Sequence, residues 1–195
     1  MPVKRYNGTA WEVIAGDGVV GAQGPAGTNG TNGIDAGATL ISTTTLSGAS
    51  VVLSSIPSSY KNLRVVIRNN RPVTDGDNLQ MRFNGDSGSN RYFTANWNTT
   101  NGTYTFNSNA LSVTNDIDNG ASSGRIIIDI PDYTNSTTWK TAVCNSLTPD
   151  VATPTSFVLN NKVFNYNQTA AISSITLYGE LGNFTSGTVL LYGVN

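Results

Sequence analysis

A chain of 195 residues with 11 Lys and Arg against 12 Asp and Glu, and only 12% charged residues in all, presents a near-neutral surface. That balance excludes the basic stripe of a nucleic-acid binder and the polybasic patch of a protein held at an anionic membrane. The lack of any histidine removes the commonest general base and most zinc chemistry, and the single cysteine excludes an intrachain disulfide. No run approaches the ~18 apolar residues of a spanning helix. The first residues, MPVKRYNGTAWEVIAG, lack the apolar core and cleavage site of a signal peptide, which predicts a chain made and used without export.

Three zones follow one another, at residues 1–17, 18–37 and 38–195. In the first, Asn7-Gly8 stands between two short segments, VKRY and TAWEV. Asn-Gly supplies the two positive-φ positions of a type I′ turn, so a small β-hairpin is predicted there. A hairpin of that size cannot bury Tyr6, Trp11 and Val13 by itself. Those three side chains are therefore the candidates for docking on another surface.

In the second zone Gly18, Gly21, Gly24, Gly27, Gly30 and Gly33 recur at every third place. Period three with glycine fixed is the demand of a collagen triple helix, in which only a hydrogen fits at the crowded axis. A Gly-rich linker, or an extended arm along a neighbouring protein, are the other readings. At ~3.1 Å per residue, six triplets would span on the order of 50 Å. So short a triple helix needs a trimerising neighbour, and the following domain is the candidate, which predicts a homotrimer.

The third zone alternates repeatedly. Leu63, Val65 and Ile67 share a face opposite Arg64 and Arg68; Leu79, Met81 and Phe83 oppose Gln80 and Arg82; Ile126, Ile128 and Ile130 oppose Asp129; Val189 and Leu191 alternate with Leu190 and Tyr192. Period two with one polar face marks half-buried antiparallel strands. Turn clusters such as NNRPVTDGDN, NGDSGSN and DIDNG separate nine or ten of them. The expected fold is all-β, an antiparallel jelly-roll β-sandwich; the Cys…Trp…Cys pattern of immunoglobulin domains is absent.

Three groups of residues could carry chemistry or binding. Cys144 has no His partner and reads as a small core or interface residue. Asp75 and Asp77 in Asp-Gly-Asp-Asn offer alternating oxygens to a cation, but the Glu that completes an EF-hand loop is missing, and Asp is a turn residue by preference. Tyr92, Trp97 and Tyr104 form the aromatic cluster that could stack on sugar faces; the competing reading packs those rings between sheets or across a trimer interface. No cofactor and no catalytic residue are expected.

KRYNGTAWEVIAGDG followed by Gly-X-Y triplets resembles the N-termini of bacteriophage virion appendage proteins, especially of tailed phages of marine and freshwater bacteria. LQMRFNGDSGSNRY (79–92) resembles a strand–turn–strand segment of phage jelly-roll domains, and FTSGTVLLYGVN (184–195) resembles their last strand. The resemblance implies a non-enzymatic virion protein, assembled in the host cytoplasm. It would be a trimeric tail fibre or short appendage, docked by its N-terminus on capsid or tail proteins. Its jelly-roll knob would face outward for host attachment, with a host surface glycan as the candidate partner. A capsid decoration, cement or head-fibre protein is the alternative.

Overall fold

The computed structural model describes residues 2–15, 37–96, 103–105, 109–120, 124–149 and 157–195. The six glycines of the triplet run lie outside the described residues. The chain divides into two compact units, Met1–Gly33 and Ile34–Asn195.

The first unit contains the expected hairpin, β1 (Val3–Tyr6) and β2 (Trp11–Ala15), paired antiparallel with Tyr6 opposite Trp11. Its turn differs from the two-residue type I′ turn predicted. Residues 7–10 all lie in the loop, and the Asn7 N–H donates to the Ala10 carbonyl at 3.0 Å. The reason lies in the Asn7 side chain, whose Oδ1 accepts the N–H groups of Thr9 and Ala10 at 3.0 and 2.8 Å. This side-chain mimic of a backbone turn needs positive φ only at Gly8, where it is +96°.

The second unit holds twelve of the fourteen strands seen among the described residues, more than the nine or ten expected. The sequence count misses the shortest elements. These strands are β3 (Ala38–Thr45), β4 (Ser50–Leu53), β5 (Asn62–Pro72), β6 (Leu79–Phe83), β7 (Tyr92–Asn96) and β8 (Thr103–Thr105). They continue with β9 (Leu111–Ser112), β10 (Arg125–Ile130), β11 (Lys140–Pro149), β12 (Phe157–Tyr166), β13 (Ile175–Gly179) and β14 (Phe184–Val194). One sheet has eight strands in the order β3-β14-β5-β10-β11-β12-β7-β8, the other four in the order β4-β13-β6-β9. Every pairing is antiparallel. The protein is all-β and sandwich-like.

One core joins the two sheets. Leu63, Val65 and Ile67 of β5, Ile126, Ile128 and Ile130 of β10 and Val189 and Leu191 of β14 belong to the same buried cluster as Leu79, Met81 and Phe83 of β6 and Ile175 and Leu177 of β13. The inward set is the one that the period-two pattern predicts. Each such side chain stabilises by about 1.5–3 kcal/mol when fully buried. At Gly193 a Cβ would collide with the Tyr60 ring, so only glycine lets that ring lie against β14.

Candidate functional site

The outward faces of the two sheets differ in chemistry. On the four-stranded sheet, Gln80 and Tyr178 are register partners, with Arg82 opposite Thr176 and Ser112 opposite Gln80. Alternation sends Leu79, Met81 and Phe83 inward, so Gln80 and Arg82 emerge on the outer face. There Gln80, Arg82, Asn109, Tyr178 and Glu180 line a shallow groove. The Arg82 guanidinium lies 4.5 Å from the Tyr178 ring centre, and its Nε donates to the Asn109 carbonyl at 2.8 Å. Glu180 Oε2 accepts from Asn78 Nδ2 at 2.8 Å and from Gln80 Nε2 at 3.1 Å. Burial raises the Tyr178 phenol above its ordinary value, which keeps it a neutral donor at physiological pH.

The eight-stranded sheet carries an apolar stripe where an outer face is expected to be polar. Leu147 pairs with Leu159 and Val143 with Val163 across β11 and β12, with Asn145 and Asn161 paired between them. Leu147 is 47% exposed, Leu159 56% and Phe157 55%. Beside the stripe, Asp129 pairs with Val143 on one side and with Arg64 on the other. Arg64 Nε and Nη2 donate to the two Asp129 oxygens at 2.6 and 3.1 Å.

The inner face of the same strands is polar toward one end. Lys162, 1% exposed, donates to the Ser112 carbonyl at 3.0 Å and to Asn115 Oδ1 at 2.9 Å, both neutral acceptors. Burial brings its ammonium down to about 8. Its register partner Cys144 is likewise buried, and burial pushes that thiol up to about 12, which makes it a poor nucleophile. The buried polar atoms Ser146 Oγ, Thr148 Oγ1 and Asn160 Nδ2 find no hydrogen-bond partner among the described residues. Lys140 is a second buried ammonium, lowered by burial and bonded to the carbonyls of Thr138 and Thr169 at 3.0 and 2.8 Å.

Several sequence expectations need correction. Tyr92 cannot contact a glycan, because it is fully buried. Its ring stacks on Tyr166 at 4.8 Å, and its hydroxyl accepts the Phe83 N–H and donates to the Asp86 carbonyl. The competing reading, a ring packed between sheets, is the one found. Trp97 lies outside the described residues, and of Tyr104 only the backbone in β8 is described. The described residues of the aromatic-rich segment do not line the groove, whose sequence signal is the alternating polar residues of LQMRF and ITLYGE.

The cation candidates separate as well. Asp75 is exposed, whereas Asp77 is buried and its Oδ1 accepts the N–H groups of Asn78 at 2.7 Å and Leu181 at 2.8 Å. Asp77 thereby ties the β5–β6 connection to the β13–β14 turn. No group of three metal-ligating side chains stands together among the described residues. Asp77→Ala is expected to cost about 3 kcal/mol, or about 6–12 °C in Tm, by freeing two charge-assisted bonds. Added calcium should leave the Tm of the parent unchanged; a differential scanning measurement checks both.

In the hairpin, Tyr6, Trp11 and Val13 are 53%, 67% and 53% exposed, and the Tyr6 and Trp11 rings meet at 5.3 Å. Tyr6 and Lys4 alternate onto the face shared by Trp11 and Val13.

No protein-family model matches the chain, and no curated protein sequence does. A solved structure similar to part of it is that of a GH43 glycoside hydrolase, engineered at its active site to display both endo-xylanase and exo-arabinofuranosidase activity. The identity is 10% and the TM-score 0.34. The similarity covers 74% of this chain and 33% of that one, so this chain spans about a third of its length. A likeness at that score carries no assignment of fold or chemistry.

Proposed function

We propose that the protein is a non-enzymatic virion appendage of a bacteriophage, a homotrimer that presents a jelly-roll knob for host attachment. The jelly-roll reading is supported by strand order. Counting β3, β4, β5, β6, β9, β10, β13 and β14 as strands one to eight, the large sheet runs one-eight-three-six and the small sheet two-seven-four-five. That is the order obtained by winding four hairpins into two Greek keys. The pairs β7–β8 and β11–β12 then extend the large sheet beyond its sixth strand.

The observation that carries the trimer is the stripe of Val143, Leu147, Phe157, Leu159 and Val163 on that extension. Exposed apolar side chains gathered on one sheet face, here interrupted by a single Asn pair, point to an interaction site. A second and third copy of the same chain would cover it, and would also supply the two partner strands that Gly-X-Y triplets require. On this reading Tyr6, Trp11 and Val13 dock on capsid or tail proteins, and the chain works in the virion. A head-fibre or decoration role would use the same trimer and differ only in where the hairpin lands. The test is the mass of the full chain in solution by sedimentation equilibrium. A species of three times 20.6 kDa supports the reading, and a monomer at tens of micromolar overturns it.

A further inference from the structure

We infer that the groove of Gln80, Arg82, Asn109, Tyr178 and Glu180 is a binding subsite for a neutral sugar bearing adjacent hydroxyls. The inference deepens the attachment reading, since it names the ligand class that the knob would recognise, but its chemistry stands on the groove alone. Arg82 and Glu180 line the same small concavity without forming an ion pair with each other. Each is instead held from behind by the protein. Arg82 is fixed by its stacking on Tyr178 and by one bond through Nε, so its Nη groups make no hydrogen bond among the described residues. Glu180 is held through Oε2 by two amides, so Oε1 accepts none among them.

A positioned donor pair and a positioned acceptor therefore line one groove with unused capacity, together with a neutral phenol. A hydroxyl can do both jobs: it accepts from a guanidinium and donates to a carboxylate. Two adjacent hydroxyls on a sugar ring would answer both groups at once. The charges select against other classes. A phosphate or sulfate meets Glu180 and an ammonium meets Arg82, whereas a net-neutral polyol can answer both groups through its hydroxyls. The floor of the groove is rigid, because Gln80 is 4% exposed and its amide is committed to Glu180. Pre-organisation of this kind lowers the ordering cost of binding.

The experiment uses the full chain with methyl glycosides of glucose, galactose and mannose, and inorganic sulfate as the anion control, read by saturation-transfer NMR. A ligand of about a dozen heavy atoms should bind at about millimolar Kd. At least one glycoside is expected to bind and sulfate is not. Arg82→Met and Glu180→Gln should each weaken that glycoside about tenfold or more, through loss of a charge-assisted hydrogen bond. Thr43→Ala, on the outer face of the other sheet, should change nothing. Binding of no glycoside at about 100 mM, well above that Kd, or binding that survives both groove substitutions with the fold intact by thermal melting, overturns the inference. A trimer that binds no glycoside sinks the subsite alone. A monomer that binds one keeps the subsite and sinks the appendage.

Discussion

The double substitution Leu147→Glu, Leu159→Glu is expected to leave a folded chain that sediments at 20.6 kDa, where the proposed trimer of the parent would sediment at three times that mass. The two leucines are register partners on the outer face, so neither takes part in the core that joins the sheets. Their replacement should therefore shift Tm little at concentrations where the parent is dissociated. Between the subunits of the proposed trimer the effect would be large. Fully burying a leucine is worth about 1.5–3 kcal/mol, and roughly half of each side chain is free to be buried. Setting two carboxylates into such a contact adds several kcal/mol of desolvation per charge if they stay ionised. In the proposed trimer, three copies would multiply the loss around the axis. The neighbouring Asn145–Asn161 pair sharpens the expectation, because amides inside an apolar contact need a partner and so specify one register. A double variant with the parent's mass would show that the stripe is not the interface, and the trimer would then have to rest on other residues.

Lys162→Met is expected to alter the pH dependence of stability in a defined window. The folded pKa of about 8 lies below the ordinary 10.5. Between those values the unfolded chain holds the proton and the folded chain does not, so stability rises with pH across the window. Below pH 8 both states hold it, and the penalty of the buried cation is constant. A shift of that size corresponds to about 3 kcal/mol. The Cys144 thiol works in the opposite direction: raised from 9.0 to about 12, its contribution is full below pH 9 and is lost as pH rises toward 12. The buried phenols of Tyr92 and Tyr166, raised by desolvation, oppose Lys162 in the same way from about pH 10. The measurement is therefore a difference. Urea unfolding of parent and variant at pH 7 and at pH 10 should show the variant gaining on the parent by about 2–3 kcal/mol more at pH 7. An equal difference at both pH values would mean that Lys162 is not held near neutrality by its burial.

Much of the fold is legible in the residues taken one strand at a time. Where apolar and polar side chains strictly alternate, as in Leu63 to Arg68 or Leu79 to Phe83, the inward set is the one read from period two. The hairpin is legible too, but its turn is not, because the Asn7 side chain competes with the backbone conformation that Asn-Gly usually signals. Tyr92 misleads for a related reason. An aromatic beside a turn looks available to a ligand, and only the arrival of Tyr166 and Phe83 from other strands closes over it.

The sequence by itself determined that the larger part of this chain is a series of antiparallel strands and that glycine recurs at every third place from 18 to 33. It also carried the polar residues of the groove, Gln80 and Arg82 on β6, Tyr178 on β13, and Asn109 and Glu180 in the connections beside them. The tertiary structure alone decided what those strands do together. In KTAVCNSLTP and FVLNNKVFNY both alternating sets contain apolar residues, so periodicity cannot say whether Ala142 and Cys144 or Val143 and Leu147 turn inward. The four-stranded sheet covers one face and leaves the other bare. That choice of face buries Lys162 and exposes Leu159, against the hydrophobicity of each residue taken singly. In an antiparallel pair the register moves a whole face at once, and the best total burial wins over the preference of any one side chain.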